Sequence, residues 1–227
     1  TFCFTDGKTI VPMLPACDYK PVFDGNLGPN TGGMGGYSPP EFYTPEMAVK
    51  VMETIMEPAI KAMAKEKRPY QGMLYPGLMI TNDGLKVMEY NCRFGDPETQ
   101  VILPRLKTDM VEIMLAVIEG RLSQIKVEWS QDACVGVVMT PGGYPGKHQT
   151  GLPISGLDEL DKEVLVFHAG TKIGTQGQVL TSGGRTLNVV ATGKTLAEAR
   201  EKVYANLPRI HFEGCHYRKD IALIKEA

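Results

Sequence analysis

The sequence predicts an α/β (α+β) protein, and three observations carry that reading. Short β-rich runs end in Gly- and Asn-containing turns, and one long segment repeats its apolar residues at helical spacing. Toward the C-terminus, short strands alternate with glycine turns before a final amphipathic helix. Bulk properties suit a globular chain: 227 residues, 43% hydrophobic, 22% charged, formal net charge -2. That balance gives no electrostatic footing for nucleic acid. No apolar run reaches the roughly 20 residues that a membrane-spanning helix needs, and no signal-peptide pattern opens the chain. The cysteines, Cys3, Cys17, Cys92, Cys134 and Cys215, never form a CxxC pair. Neither a disulfide framework nor a structural zinc site is expected, and a reducing cytoplasm is the default compartment.

Residues 1–5 (TFCFT) read as a strand already under way, Asp6-Gly7 as its turn and residues 9–13 as the returning strand. A chain opening inside a hairpin is expected to be a portion of a longer protein. Residues 17–40 are dense in Gly, Pro, Asn and Asp without apolar period, and are read as a long loop. Residues 44–65 space Met47, Val51, Ile55, Ile60 and Met63 like a helix, with Thr44 as N-cap, Pro45 and Glu46 in the first turn, and an interruption near Pro58. Residues 72–81 and 85–90 form two strands joined by the Asn82-Asp83-Gly84 turn. Residues 109–119 form a helix capped by Asp109 or Thr108 and ended by Gly120. The polar run 123–132 marks a domain boundary, dividing a core over 1–122 from a smaller β-rich domain over 123–227. In that second part, strands at 133–140, 164–167 and 186–191 precede a helix over 195–207, where Thr195 and Glu198 make a capping box.

The strongest chemical constellation is Glu89-Tyr90-Asn91-Cys92-Arg93, an E-x-N-x-R pattern. Residues two apart on a strand share a face, so the Glu89 carboxylate, the Asn91 amide oxygen and the Arg93 guanidinium converge. Two oxygens suit Mg²⁺, which leaves its other positions to phosphates and water, and a guanidinium there neutralises a transferring phosphoryl group. The plain alternative is a Glu89–Arg93 surface ion pair with a turn at Asn91. Directly downstream, Asp96 is expected to cap a helix whose first turn holds Pro97 and Glu98, its N-terminus facing an anionic or amine-bearing substrate.

The second constellation is KPVFDGNLGPNTGGMGGYSPP, residues 20–40. Gly28, Gly32, Gly33, Gly35 and Gly36 allow backbone conformations in which successive N–H groups around Thr31 form an anion-binding concavity. Lys20 would add a point charge, and Asp24 and Asn30 suit an amine or a ribose. It is neither a Walker A loop nor a dinucleotide GxGxxG, and a surface loop with no role is the alternative. His168, Arg185, Arg218 and Lys219 are weaker candidates, readable equally as locally bonded or ion-paired residues. Trp129 and Met47, Met52, Met56 and Met63 are read as packing residues.

The segments GPNTGGMGGYSPP, GMLYPGLMI and KVMEYNCRFGDPETQ, with the later VGVVMTPGGYPG, FHAGT, TSGGR and YRKDI, resemble the phosphoribosylamine-glycine ligase family of the ATP-grasp superfamily. The resemblance runs in order over nearly the whole chain. GPNTGGMG and NCRFGDPETQ are specific to that family, whereas E-x-N-x-R is shared by many ATP-grasp ligases. It implies an ATP-grasp core with a mixed or antiparallel sheet, and ligation of glycine to 5-phosphoribosylamine through a glycyl phosphate in purine biosynthesis. ATP would be co-substrate and Mg²⁺ or Mn²⁺ the metal. Carried onto this chain, Glu89 and Asn91 look like metal ligands and Arg93 like the residue facing the acyl phosphate. Lys20, Asp24, Asn30, Thr31, Gly32, Gly33, Gly35, Asp96 and Glu98 are the expected substrate- or phosphate-binding set.

One departure is that Gly77 stands where several ATP-grasp enzymes carry a second metal-binding acid. The resemblance also implies an N-terminal domain and an ATP-gripping lid, supplied upstream of Thr1 or by a partner chain. Without them the chain is expected to hold the metal and glycine side of the site and not to be competent alone. Two other readings stay open: an ATP-grasp carboxylate-amine ligase with a different acceptor, or a non-catalytic fragment serving as a binding or assembly module.

Overall fold

The computed structural model describes residues 1–223. In chain order its elements are β1 (Cys3–Thr5), β2 (Ile10–Pro12), β3 (Cys17–Asp18), β4 (Pro21–Phe23), β5 (Leu27–Asn30), β6 (Gly35–Ser38), α1 (Pro45–Val51) and α2 (Glu57–Lys65). They continue through β7 (Gly72–Thr81), β8 (Gly84–Asn91), α3 (Thr99–Ile102), α4 (Met110–Ile118), β9 (Ala133–Met139) and β10 (Leu165–His168). The last are β11 (Thr171–Ile173), β12 (Val179–Thr181), β13 (Leu187–Gly193) and α5 (Leu196–Asn206). The class is α+β, and every strand pair described is antiparallel.

The described residues form two compact units, each assembled from separated stretches of chain. One comprises Thr1–Pro15, Pro39–Gly95 and Leu106–Ser130, and the other Ala16–Ser38, Asp96–Arg105 and Gln131 onward. The first unit holds a four-stranded sheet in the order β2-β1-β7-β8. The Asp6 turn is nailed in place because Asp6 Oδ1 accepts from Lys8 N at 3.0 Å and Thr9 N at 2.7 Å, while its Oδ2 accepts from Leu122 N at 3.1 Å. Thr44 caps α1 by accepting from Met47 N at 3.2 Å. Between α1 and α2 the residues Met52–Met56 turn as a π-helix, directly before Pro58, whose missing N–H cannot continue the regular ladder. Val51, Ile55, Met56 and Ile60 of this helical run pack with Cys3 and Leu74 of the sheet. Met47 and Met52 join that cluster, whereas Met63 is exposed, so packing accounts for only part of the methionine set. Asp109 rather than Thr108 caps α4, accepting from Val111 N at 2.7 Å, and Gly120 follows with φ 68.

The second unit holds a five-stranded sheet in the order β10-β13-β9-β6-β3. Every residue of β9 is buried, which explains its unbroken apolar run Ala-Cys-Val-Gly-Val-Val-Met. One face (Val135, Val137, Met139, Leu187, Val189, Ala191) packs on Leu196, Ala199 and Val203 of α5, and the other (Cys134, Val190) on Val101 of α3. Burying each such aliphatic side chain stabilises by about 1.5–3 kcal/mol before entropy is charged. At the head of α5, Thr195 Oγ1 accepts from Glu198 N at 3.1 Å, but the Glu198 carboxylate returns to Lys194 N at 2.8 Å, one residue earlier than the standard box.

Three expectations need correction. Residues 17–40 are not a loop but carry β3 to β6, short strands whose partners for β6 include β9, a hundred residues away, so no local period announces them. The ribbon β11–β12 was not expected at all. Asp96 does not cap a helix: residues 96–98 form a turn, α3 begins at Thr99, and no side chain caps it.

Candidate functional site

In the first unit, the register of β7 and β8 sets Tyr75 opposite Asn91 and Gly77 opposite Glu89. Glu89 and Asn91 fall on one face of β8, and Asn91 Nδ2 donates to Glu89 Oε1 at 3.0 Å. An amide and a carboxylate thus stand together at a strand end, with Glu89 exposed. Their oxygens are the hard donors that a small divalent cation takes, so the pair fits Mg²⁺ or Mn²⁺. Among the described residues no three His, Cys, Asp or Glu side chains gather into a metal-holding group. β8 stops at Asn91, so Arg93 lies past the strand in a bend, and the expected three-residue face holds only two. Arg93 Nη1 donates to Phe94 O at 2.9 Å, and the guanidinium is exposed. The Glu89–Arg93 ion pair of the plain reading does not form.

In the second unit, the glycine-rich segments of Tyr144 and Arg185 and the Asp96-Pro97 turn meet Gly32 and Gly33. Arg185 Nη1 donates to Gly32 O at 3.0 Å and to Asp96 O at 2.7 Å, and pairs with Asp96 Oδ1 at 3.0 Å. The Tyr144 hydroxyl accepts from Gly32 N at 3.2 Å. Successive amides of the loop are already spent: Thr31 N donates to Lys20 O at 2.8 Å, Gly33 N to Thr31 Oγ1 at 2.9 Å and Met34 N to Tyr19 O at 2.8 Å. The anion-binding concavity expected of Gly32 and Gly33 is therefore filled by the protein itself. Gly35 is required elsewhere, since a Cβ there would lie 2.4 Å from Gly136 O, where β6 approaches β9.

The remaining candidates separate by their partners. Lys20 pairs with Asp18 at 2.6 Å; burial opposes its charge, but the Asp18 hydrogen bond and charge outweigh that and raise its pKa. Asp24 accepts from Lys219 N at 2.8 Å, which ties the two segments together. Asn30 ends β5 in an exposed position, and Glu98 is buried at the start of α3. His168 Nδ1 shares a 3.0 Å hydrogen bond with Thr171 Oγ1, the locally bonded alternative for that residue. Arg218 is not on the surface: it is fully buried, over the Tyr19 ring, and each of its nitrogens donates, to Asp220, Pro21 O and Asn26 Oδ1. Its donors hold the fold together and a ligand phosphate could not reach them.

Comparison with known proteins matches the chain in two successive stretches. The family model for the phosphoribosylglycinamide synthetase ATP-grasp (A) domain matches residues 1–99, and that for the C domain of the same synthetase matches residues 134–224. The chain belongs to the phosphoribosylglycinamide synthetase family. A phosphoribosylamine-glycine ligase from Caldanaerobacter subterraneus subsp. tengcongensis is 47% identical over 221 residues, covering 97% of this chain and 52% of the relative. One from Escherichia coli O6:H1 is 51% identical over 218 residues, covering 95% and 51%. The solved phosphoribosylamine-glycine ligase of Thermotoga maritima superposes with a TM-score of 0.86 at 37% identity, over 97% of this chain and 54% of that one. The chain thus spans about half the length of the relatives it matches. Within this member of the synthetase family, Tyr144 is the residue that sequence reasoning passed over. The signal was present, an aromatic set between turns in Pro-Gly-Gly-Tyr-Pro-Gly, but a hydroxyl aimed at a distant amide leaves no trace in spacing.

Proposed function

We propose that the protein containing this chain ligates glycine to 5-phosphoribosylamine with ATP, and that this chain supplies the metal and glycine side of its site. The observation that carries the reading is the hydrogen-bonded Glu89 carboxylate and Asn91 amide at the end of β8, inside a stretch matched by the family's ATP-grasp domain. In that reaction the glycine carboxylate takes the γ-phosphoryl group, and the amine of phosphoribosylamine displaces phosphate as the new C–N bond forms. Glu89 and Asn91 would hold Mg²⁺ or Mn²⁺, whose chemistry there is charge neutralisation on phosphate oxygens. Arg93, exposed and past the strand, would face the acyl phosphate. Asp96 would accept a hydrogen bond from a substrate amine, with Glu98 behind it, while Thr31, Gly32, Gly33 and Gly35 shape the wall beside it. Lys20, Asp24, Asn30, His168 and Lys219 keep at most a bordering role in this reading. No enzyme nucleophile is called for, and the task of the protein is positioning and charge complementarity.

We further propose a domain boundary within residues 123–132, between the stretches that the two family models match. A cytoplasmic location is part of the same reading and is supported by five free thiols. No helix among the described residues is long and apolar enough to cross a membrane. The test is ADP release by the full-length protein with ATP, Mg²⁺, glycine and phosphoribosylamine. Release that depends on all of them is expected, and release indifferent to glycine overturns the reading. Isolated, this chain is expected to bind Mg-ATP only weakly, and micromolar affinity by calorimetry would place the whole nucleotide site within it.

A further inference from the structure

Both polar groups of the Gly32 backbone are taken by side chains from other loops. Its N–H donates to the Tyr144 hydroxyl at 3.2 Å, and its C=O accepts from Arg185 Nη1 at 3.0 Å. The same Arg185 nitrogen reaches Asp96 twice, at the carbonyl oxygen (2.7 Å) and at carboxylate Oδ1 (3.0 Å). Sterics close the arrangement. A Cβ on Gly32 would lie 2.9 Å from Arg185 Cζ, and one on Gly33, where φ is +122, would lie 2.4 Å from Pro97 Cδ. The turn therefore lies against the guanidinium at Gly32 and against Pro97 at Gly33, and at Gly33 the positive φ and the close Pro97 ring require glycine.

We propose that Arg185 and Tyr144 are positioning residues that clamp the Gly32-Gly33 turn to Asp96, fixing the Asp96 carboxylate to receive an amine-bearing substrate. Carboxylate Oδ1 lies 3.0 Å from Arg185 Nη1 as an ion pair, while the hydrogen bonds of that nitrogen go to the Gly32 and Asp96 carbonyls, so the carboxylate keeps its accepting capacity. An oxygen held this way, beside a wall of backbone with its amides satisfied, offers acceptors and no free anion-binding donors from the loop. It selects a substrate N–H over a phosphate. The proposal rests on the reading that Asp96 meets substrate. Losing the clamp leaves the carboxylate in place but lets it wander, and misplacement by about 1 Å costs on the order of 100-fold in rate.

The test uses Arg185→Ala and Tyr144→Phe in the full-length protein, with two readouts. Amide hydrogen exchange across residues 31–34 is expected to rise about tenfold in both variants, because the Gly32 amide loses its acceptor or its neighbouring anchor. The KM for glycine or for phosphoribosylamine is expected to rise about tenfold while the KM for ATP stays within about twofold. Tyr144→Phe removes a single oxygen, so it remains informative if Arg185→Ala folds poorly. Unchanged exchange at Gly32 in Tyr144→Phe overturns the clamp. Raised exchange with kcat and every KM unchanged overturns its link to substrate, as does a lowered melting temperature with normal kinetics. Wild-type protein without glycine-dependent ADP release overturns the functional reading and the substrate half of this proposal together, while exchange at Gly32 still decides the clamp.

Discussion

Gly77 faces Glu89 directly across the β7–β8 ladder, and a Cβ built on Gly77 would lie 3.5 Å from Glu89 Cγ, an ordinary van der Waals contact. The strand therefore admits a Cβ at this position, next to the proposed metal pair. Gly77→Glu in the full-length protein is expected to tighten Mn²⁺ binding about tenfold by adding a charged oxygen ligand. Without metal the two opposed carboxylates repel, so its melting temperature falls in chelator and recovers with Mn²⁺. In the opposite direction, Glu89→Ala or Asn91→Ala should raise the metal concentration needed for activity and leave the fold intact. Calorimetric Mn²⁺ titrations that coincide for wild type, Gly77→Glu and Glu89→Ala would remove this strand end from the metal site.

Arg93→Lys tests whether geometry matters as much as charge. A guanidinium presents a planar fork that can hold two phosphoryl oxygens, whereas an ammonium is a point charge on a flexible stem. If Arg93 acts on the transferring group, kcat and kcat/KM for glycine fall together, by on the order of 100-fold. Steady-state kinetics with near-normal kcat would sink the catalytic role.

The ion pair of buried Arg218 with half-buried Asp220 makes a pH prediction. Burial alone would raise the Asp220 pKa, but the hydrogen bonds from Arg218 and Gly25 outweigh it and hold the carboxyl below the usual range. A folded pKa below the unfolded value of about 3.9 gives stability that is complete above that pH and is lost as pH falls through the lower folded value. Asp220→Asn leaves the guanidinium buried without its counter-charge and is expected to cost about 3 kcal/mol at neutral pH. Melting curves of wild type and variant should converge in acid, once the pH has fallen through the lowered folded value. A gap that stays constant down to that pH would show that the pair does not carry the linkage.

Asn188 lies in the centre of the second sheet, 3% exposed, and neither amide atom has a protein partner. Its Oδ1 sits where a Cβ of Gly136 would come within 2.9 Å. An unmet buried amide costs about 1–3 kcal/mol, so Asn188→Val, which suits a central strand, is expected to raise the urea midpoint. A lowered midpoint would mean that the amide is satisfied in solution.

Much of this architecture was legible along the chain because its causes are local. The Thr44 cap and Pro45 of α1, the Asn82-Asp83-Gly84 turn, the Asp109 cap with Gly120, and the unbroken apolar run of β9 each depend on residues a few positions apart. Glu89 and Asn91 share a face for the same reason, since a strand alternates every residue. By itself the sequence therefore determined the α+β class, the strand-end oxygen pair and the order of motifs that place the chain in its family. The tertiary structure alone decided what the glycines and cations of residues 17–40 and 185–220 bond to. Gly32 reads as a flexible anion-binding residue until Tyr144 and Arg185, 112 and 153 positions away, consume its two polar groups. Arg218 reads as a surface cation until Pro21, Asn26 and Tyr19 enclose it. Hydrogen-bond capacity is a property that a residue carries in its chemistry, but whether any of it remains for a ligand depends on partners that only chain closure brings within about 3 Å.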